Sequence, residues 1–229
     1  SLHDALPILV DDASAPGVML YAHYDSNPGS PGANSGTGAA VLLDVARRLA
    51  ERRTDRSVRL VFLTSTERKF AWGVPFGPEG MIRYVKKHDA ELRAYGTIVS
   101  VDHLGVWKKL LIGSAAEPAD MAVKEDFYSF YFERELSYQD LDALRILKKE
   151  VPPLTADLET VERFVSIGEG RGIDVTPASG YGACLTDGFH AAGIPAIGFC
   201  GDGDELADTA LDDMANIQVE QLYQAAAIL

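Results

Sequence analysis

Short apolar runs recur along the chain: "GVMLYA" (17–22), "VRLVFLT" (58–64), "TIVSVD" (97–102), "KLLIG" (109–113) and "IPAIGFC" (194–200), each bounded by turn or charged residues. Runs of this length, rich in branched side chains, read as strands buried on both faces. Between them the apolar spacing becomes helical. Val41, Leu42, Val45 and Leu49 mark one helix face, and Met81, Ile82 and Val85 mark another within "EGMIRYVKKH". Strands alternating with helices leave few ways to pack, and predict an α/β fold with helices on both faces of a largely parallel sheet. Ligands in such folds sit at the carboxyl ends of strands. His23 and Asp25 follow the first run, Thr66 and Glu67 follow the second, and Asp102 closes the third.

The 229 residues, 47% hydrophobic and 24% charged, suffice for a full core in one domain. No apolar run approaches the roughly 20 residues of a membrane helix, so no membrane span is expected. The net charge of -13 argues against nucleic acid as a partner, because the summed field repels a polyanion. The basic pairs Arg47-Arg48 and Lys86-Lys87 fall on polar helix faces. "SLHDALPI" (1–8) resembles a non-native leader and is set aside from the fold. The remainder, 9–229, is expected to be one domain with both ends cut, carrying a helical insertion at about 119–165 whose aromatic run serves packing. Cys184 and Cys200 are expected as buried free thiols, with a disulfide as the alternative.

"YAHYDSNPGSPGANSGTGAA" (21–40) ends the first strand with a histidine and an aspartate, then opens through a Gly-rich loop into a helix. Glycines before a helix N-terminus can cradle a phosphate. However, Ala39 and Ala40 stand where a P-loop needs Lys and Ser or Thr, and Val41 stands where the dinucleotide fingerprint needs its third Gly. A serine nucleophile elbow is excluded as well, since Ala33 lies two residues before Ser35. Metal chemistry remains; it needs ligands converging from separate strand ends and a base for the bound water.

"HYD", "PGANSGTGAAVLLDVARRLA", "RSVRLVFLTSTE", "YVKKHDAELRAYGTIVSVDHLG", "GIPAIGF" and "DTALDDMANIQVEQLYQAA" occur in the order and approximate spacing of the co-catalytic di-zinc aminopeptidase family, which the chain resembles over about residues 17–229 apart from the insertion. Glutaminyl cyclases and the peptidase-like domain of the transferrin receptor belong to the same family. The resemblance implies the zinc-exopeptidase fold, a three-layer α/β sandwich with a mostly parallel, mixed central sheet. It also implies that His23 binds one zinc, that Asp25 orients its imidazole, and that Asp102 binds the same zinc.

Other family positions are altered here. The family's bridging aspartate falls in a loop that here is one residue shorter and offers Asn34 and Ser35, neither of them an anion. Ungapped alignment puts Thr66 at the general base and Glu67 at a ligand to the other zinc; losing such a base costs on the order of 10² to 10⁴ in rate. Asp208 stands where the family has its last zinc-binding His, and the late Ser-Asp-His-x-x-Phe segment is reduced to Thr186, Asp187, Gly188 and Phe189. The carboxylates Asp25, Glu67, Asp102 and Asp208, gathered around one histidine, raise one another's pKa or demand a cation. One zinc, or another divalent ion such as calcium or magnesium, is therefore expected rather than a full di-zinc centre.

The expected function is that of a zinc aminopeptidase-like domain with lost or strongly altered hydrolysis and a cleft retained for a peptide, partner protein or ion. The alternative is an active peptidase or amidohydrolase with a rebuilt one-metal site, in which Glu67 serves as base or ligand. His88 reads as a surface residue, His103 is expected to point away from Asp102 along the strand end, and His190, beside the pocket, is set aside as a substitute for a lost ligand. "GDGDELAD" reads as a solvated acidic turn. Relatives are often exported or membrane-anchored, and the compartment is left open.

Overall fold

A computed structural model of the chain describes residues 8–10, 16–27, 29–52, 54–64, 70–71, 74–75, 79–114, 158–179, 186, 189, 192–203, 205–207 and 209–229. In chain order the strands are β1 (Ile8–Val10), β2 (Val18–His23), β3 (Val58–Leu63), β4 (Phe70–Ala71), β5 (Val74–Pro75), β6 (Thr97–Asp102), β7 (Lys109–Ser114), β8 (Val175–Ser179) and β9 (Ile197–Asp202). The helices are α1 (Thr37–Ala50), α2 (Glu79–Leu92), α3 (Leu158–Arg171) and α4 (Val219–Ile228). Seven strands form one sheet in the order β1-β3-β2-β6-β9-β7-β8, while β4 and β5 pair separately. The four central strands β3, β2, β6 and β9 are mutually parallel, and β7 runs antiparallel to β9.

The sheet is buried on both faces, as the uninterrupted apolar runs require. Leu20 and Ala22 of β2, Leu60 of β3, and Val99 and Val101 of β6 enter one core with Val41, Leu42 and Val45 of α1 and Ala225 and Ala226 of α4. The alternate residues Met19, Tyr21, Val61, Leu63 and Ile98 enter a second core with Met81, Tyr84, Val85 and Leu92 of α2. The period of two along each strand thus sorts side chains between two helical layers, and the molecule is the three-layer α/β sandwich expected.

Helix α1 packs close because its first turn carries Gly38. A Cβ there would lie 2.1 Å from the Val101 carbonyl oxygen and 3.2 Å from Ala22 Cβ. The last glycine of "GTG" therefore serves helix-to-sheet contact rather than an anion. The amides around it are also engaged, with Gly36 N–H on Gly32 O, Thr37 N–H on Asn34 O and Ala40 N–H on Gly36 O.

The chain passes from β2 through α1 to β3 on one side of β2, then through α2 to β6 on the other. Where strand order reverses in this way a crevice opens at the strands' carboxyl ends. His23 ends β2 and Asp102 ends β6.

Several boundaries differ from the sequence expectation. Ile8, the last residue of the segment set aside, pairs with Leu60 in β1. Residues 158–165 form one helix with 166–171, and Val161 sits in the main core, so this part of the expected insertion belongs to the sandwich's own helical layer; residues 119–157 lie outside the described residues. Strand β8 was not anticipated: Pro177 interrupts its apolar pattern, which an edge strand tolerates. Cys200 is a buried free thiol, and Cys184 lies outside the described residues. Among the described residues no helix is long and apolar enough to cross a membrane.

Candidate metal site at the sheet's switch point

The β2–β6 register runs Met19↔Ile98 and Tyr21↔Ser100. Two residues further on, the same step brings His23 beside Asp102 on the face that α2 covers. Their side chains meet, with His23 Nε2 3.0 Å from Asp102 Oδ1 and both residues almost fully buried. On the other edge of the ring, Nδ1 lies 3.4 Å from Asp25 Oδ1. His23 thus has a carboxylate at each nitrogen, the pattern in which one carboxylate fixes ring orientation while the other nitrogen faces a site.

Asp102 is held by the turn that follows β6. Its Oδ1 accepts a hydrogen bond from the His103 backbone N–H at 2.8 Å, and His103 Nδ1 lies 3.3 Å from the same oxygen. This corrects the expectation that His103 points away. The alternation rule assumes extended backbone, whereas His103 has φ +48° and folds its ring back over Asp102. Burial pushes the Asp102 carboxyl up, but the neighbouring charges of His103 and His23 and their hydrogen bonds outweigh it and leave the group well below the ordinary carboxylate range.

The Gly-rich loop braces this turn. Asn34, wholly buried, accepts the Gly105 N–H on Oδ1 at 2.7 Å. Thr37 Oγ1 accepts the Leu104 N–H at 2.8 Å and donates to the Asn34 carbonyl at 2.5 Å. Asp212, also buried, accepts the Asn34 N–H on Oδ1 at 2.8 Å, while its carbonyl accepts the Ala33 N–H at 3.1 Å. From α4, Gln221 exchanges two 2.9 Å bonds with the backbone of Trp107. Ser35, next to Asn34, is fully buried and its hydroxyl has no hydrogen-bond partner among the described residues.

The structure therefore brings His23, Asp25 and Asp102 together and places Asn34 and Ser35 in the bracing loop. Thr66, Glu67, Asp208, Asp187, Gly188 and His190 lie outside the described residues. Phe189 is buried against Tyr21, ring centroids 4.9 Å apart, and His88 bonds Glu91 on the outer side of α2. His103 went unrecognised as a site residue in the sequence, and Asp212 matches only the closing aspartate of the family's late motif that begins at Asp208, with no role as a loop anchor implied. For Asp212 the signal is weak, because a buried anchor looks the same as its exposed neighbour Asp213 within "LDDMAN".

Two donors about 2.0–2.2 Å from one zinc ion, at an angle near 90–110°, stand roughly 3.0–3.4 Å apart. The His23–Asp102 separation of 3.0 Å fits two neighbouring ligands of one ion, with a nitrogen and a carboxylate oxygen as the donor set. Among the described residues no group of three or more His, Cys, Asp or Glu is placed to hold a metal ion.

A parallel-centred three-layer sandwich with a buried His–carboxylate pair at its switch point is an open α/β domain with candidate ligands where such folds place their sites. The family model for peptidase family M28 matches residues 8–143, more than half of the sequence, and the chain belongs to that family. Aminopeptidase YwaD of Bacillus subtilis (strain 168) is 34% identical over 95 residues, 40% of this chain and 19% of that protein. The structure of BSAP, a zinc aminopeptidase from Bacillus subtilis, superposes with a TM-score of 0.62 at 20% identity, covering 97% of this chain and 47% of that one. LapB from Legionella pneumophila superposes with a TM-score of 0.65 at 12% identity, covering 99% and 57%. The chain thus spans about half the length of these structural relatives. It is a zinc aminopeptidase-like M28 domain in fold and family.

Proposed function

We propose that this M28 domain holds a single divalent ion, zinc before others, at His23 and Asp102, and that its cleft binds peptides while hydrolysis is lost or strongly reduced. The observation that carries the reading is the state of Asn34. At the place of the family's bridging carboxylate stands a neutral amide whose oxygen is already used by Gly105 N–H, in a loop whose next side chain, Ser35, is also neutral. Neither Asn34 nor Ser35 supplies an anion to share two ions.

In this reading His23 supplies Nε2, with Asp25 at Nδ1 fixing the ring, and Asp102 supplies its carboxylate oxygen. Glu67 and Asp208 are the further donors. When bound, the ion supplies Lewis acidity toward a peptide carbonyl. Thr66, at the family's base position, cannot take a proton from water near neutral pH. Residues 8–229 act as one domain. BSAP is by its title a zinc aminopeptidase, which supports zinc as the first ion to test.

Elemental analysis of the purified chain, with hydrolysis of aminoacyl chromogens before and after zinc addition, tests the reading. The expected result is about one ion per chain, lost in Asp102→Ala, with turnover at background. Metal-dependent turnover abolished by Asp102→Ala would instead assign the one-metal hydrolase with Glu67 as base or ligand. A chain that takes up no ion overturns the metal site.

A further inference from the structure

Resting on the metal reading above, we propose that His103 is a positioning residue for Asp102: its imidazole holds the carboxylate toward His23 and so sets how tightly the His23–Asp102 pair binds a divalent ion.

The first observation is backbone conformation. Among the described residues, His103 is the one non-glycine residue with positive φ, at +48°. A side chain with a Cβ rarely adopts that region, and such conformations persist where the surroundings over-determine them. They do so here on three sides. The His103 carbonyl accepts the Gly201 N–H of β9 at 3.1 Å, Leu104 N–H is bound by Thr37 of α1, and Gly105 N–H by Asn34 of the loop. Gly201 is itself required, because a Cβ there would come 2.4 Å from the His103 carbonyl oxygen.

The second observation is what this conformation achieves. Extended backbone would send residue 103 to the opposite face of the sheet from residue 102. The left-handed turn instead puts two groups of His103 on one oxygen, the backbone nitrogen at 2.8 Å and Nδ1 at 3.3 Å from Asp102 Oδ1. The rings of His103 and His23 stand edge to face with centroids 6.3 Å apart, so the carboxylate lies between two imidazoles. The backbone bond alone would survive any substitution; the ring contact is specific to the side chain. Partners of this outer kind direct a ligating carboxylate, and their loss typically weakens metal binding by about ten- to a hundredfold.

The test uses the full chain, stripped of metal, titrated with zinc against a chromophoric chelator, in parallel with thermal melts. His103→Gly removes the ring and relieves the positive φ. The expected result is an unchanged or raised Tm of the ion-free protein together with a ten- to hundredfold loss of zinc affinity. His103→Asn, which tolerates the left-handed region and keeps a side-chain donor, is expected to retain more affinity than the Gly variant. The visible spectrum of the cobalt-loaded protein should differ between parent and His103→Gly, a change that a merely structural role would not produce. Equal zinc affinity in parent and His103→Gly overturns the inference, as does a loss of affinity that only tracks a loss of Tm. A parent that binds no zinc overturns the metal reading itself, a distinct failure.

Discussion

Replacing Gly38 by Ala tests whether the close approach of α1 to the sheet supports the turn that carries Asp102. The added methyl would meet the Val101 carbonyl oxygen at 2.1 Å, its carbon at 2.9 Å and Ala22 Cβ at 3.2 Å. The two nearest atoms are backbone of a central strand and cannot swing aside, so the first turn of α1 must retreat by roughly 1 Å to restore ordinary contact. That retreat stretches the 2.8 Å bond from Leu104 N–H to Thr37 Oγ1 beyond useful length. Overpacking costs about 1–3 kcal/mol and an orphaned buried donor about as much again, while the better helix propensity of alanine offsets about 1 kcal/mol. The expected net loss is about 3 kcal/mol, which for a domain of this size lowers Tm by roughly 6–12 °C. Urea unfolding followed by circular dichroism should show a lower midpoint with an unchanged slope. Gly170→Ala is the control. That glycine is exposed on α3 and its Cβ would meet nothing within 4 Å, so the same substitution should stabilise by up to about 1 kcal/mol. A Gly38→Ala chain as stable as the parent would refute the packing argument.

Asp212→Ala leaves the buried Asn34 N–H without its acceptor and should cost about 1–3 kcal/mol, whereas Asp212→Asn keeps an oxygen in place and should cost less; chemical denaturation separates the two. Glu91 is held below its ordinary value of 4.5, first by hydrogen bonding to Arg59, against partial burial and with help from His88. Because the folded value is the lower one, its contribution is complete above the unfolded pKa and is lost as pH falls through the folded one. Glu91→Gln should therefore flatten the fall of Tm below about pH 4.5 and leave the curve above pH 6 parallel to the parent's, by a small amount because solvent screens this half-exposed pair. Zinc at about a hundred times its Kd should raise stability by about 2.7 kcal/mol, a Tm rise of roughly 5–10 °C. The same rise in Asp102→Ala would place the ion elsewhere.

The central strands were legible because burial on both faces writes them as uninterrupted apolar runs; "TIVSVD" coincides with β6 residue for residue. Strand β8 was not, since "VTPAS" lies at the sheet's edge, where a proline and polar residues are tolerated. The convergence of His23 with Asp102 follows from strand ends and parallel register, both of which a sequence can suggest. The place of His103 does not, because one positive φ reverses the alternation on which side-chain direction is judged. Asn34 was readable as an absent carboxylate, but its role as a brace depends on a bond to Gly105, 71 residues away.

The ties that finish the turn after β6 reach far along the chain. Asp102 and His23 are separated by 79 residues, and Trp107 and Gln221 by 114. Contacts of such sequence separation form slowly, because the intervening loops must close before the contacts can stabilise anything. During synthesis the two walls of the crevice can pair once β6 has emerged. The turn that aims Asp102 must wait for Gly201 and then for α4. An ion arriving early would find histidine and carboxylates on a mobile frame. The aligned pair is presented only once β9 and α4 have docked on the sheet, so an ion bound there would report on that docking rather than guide it.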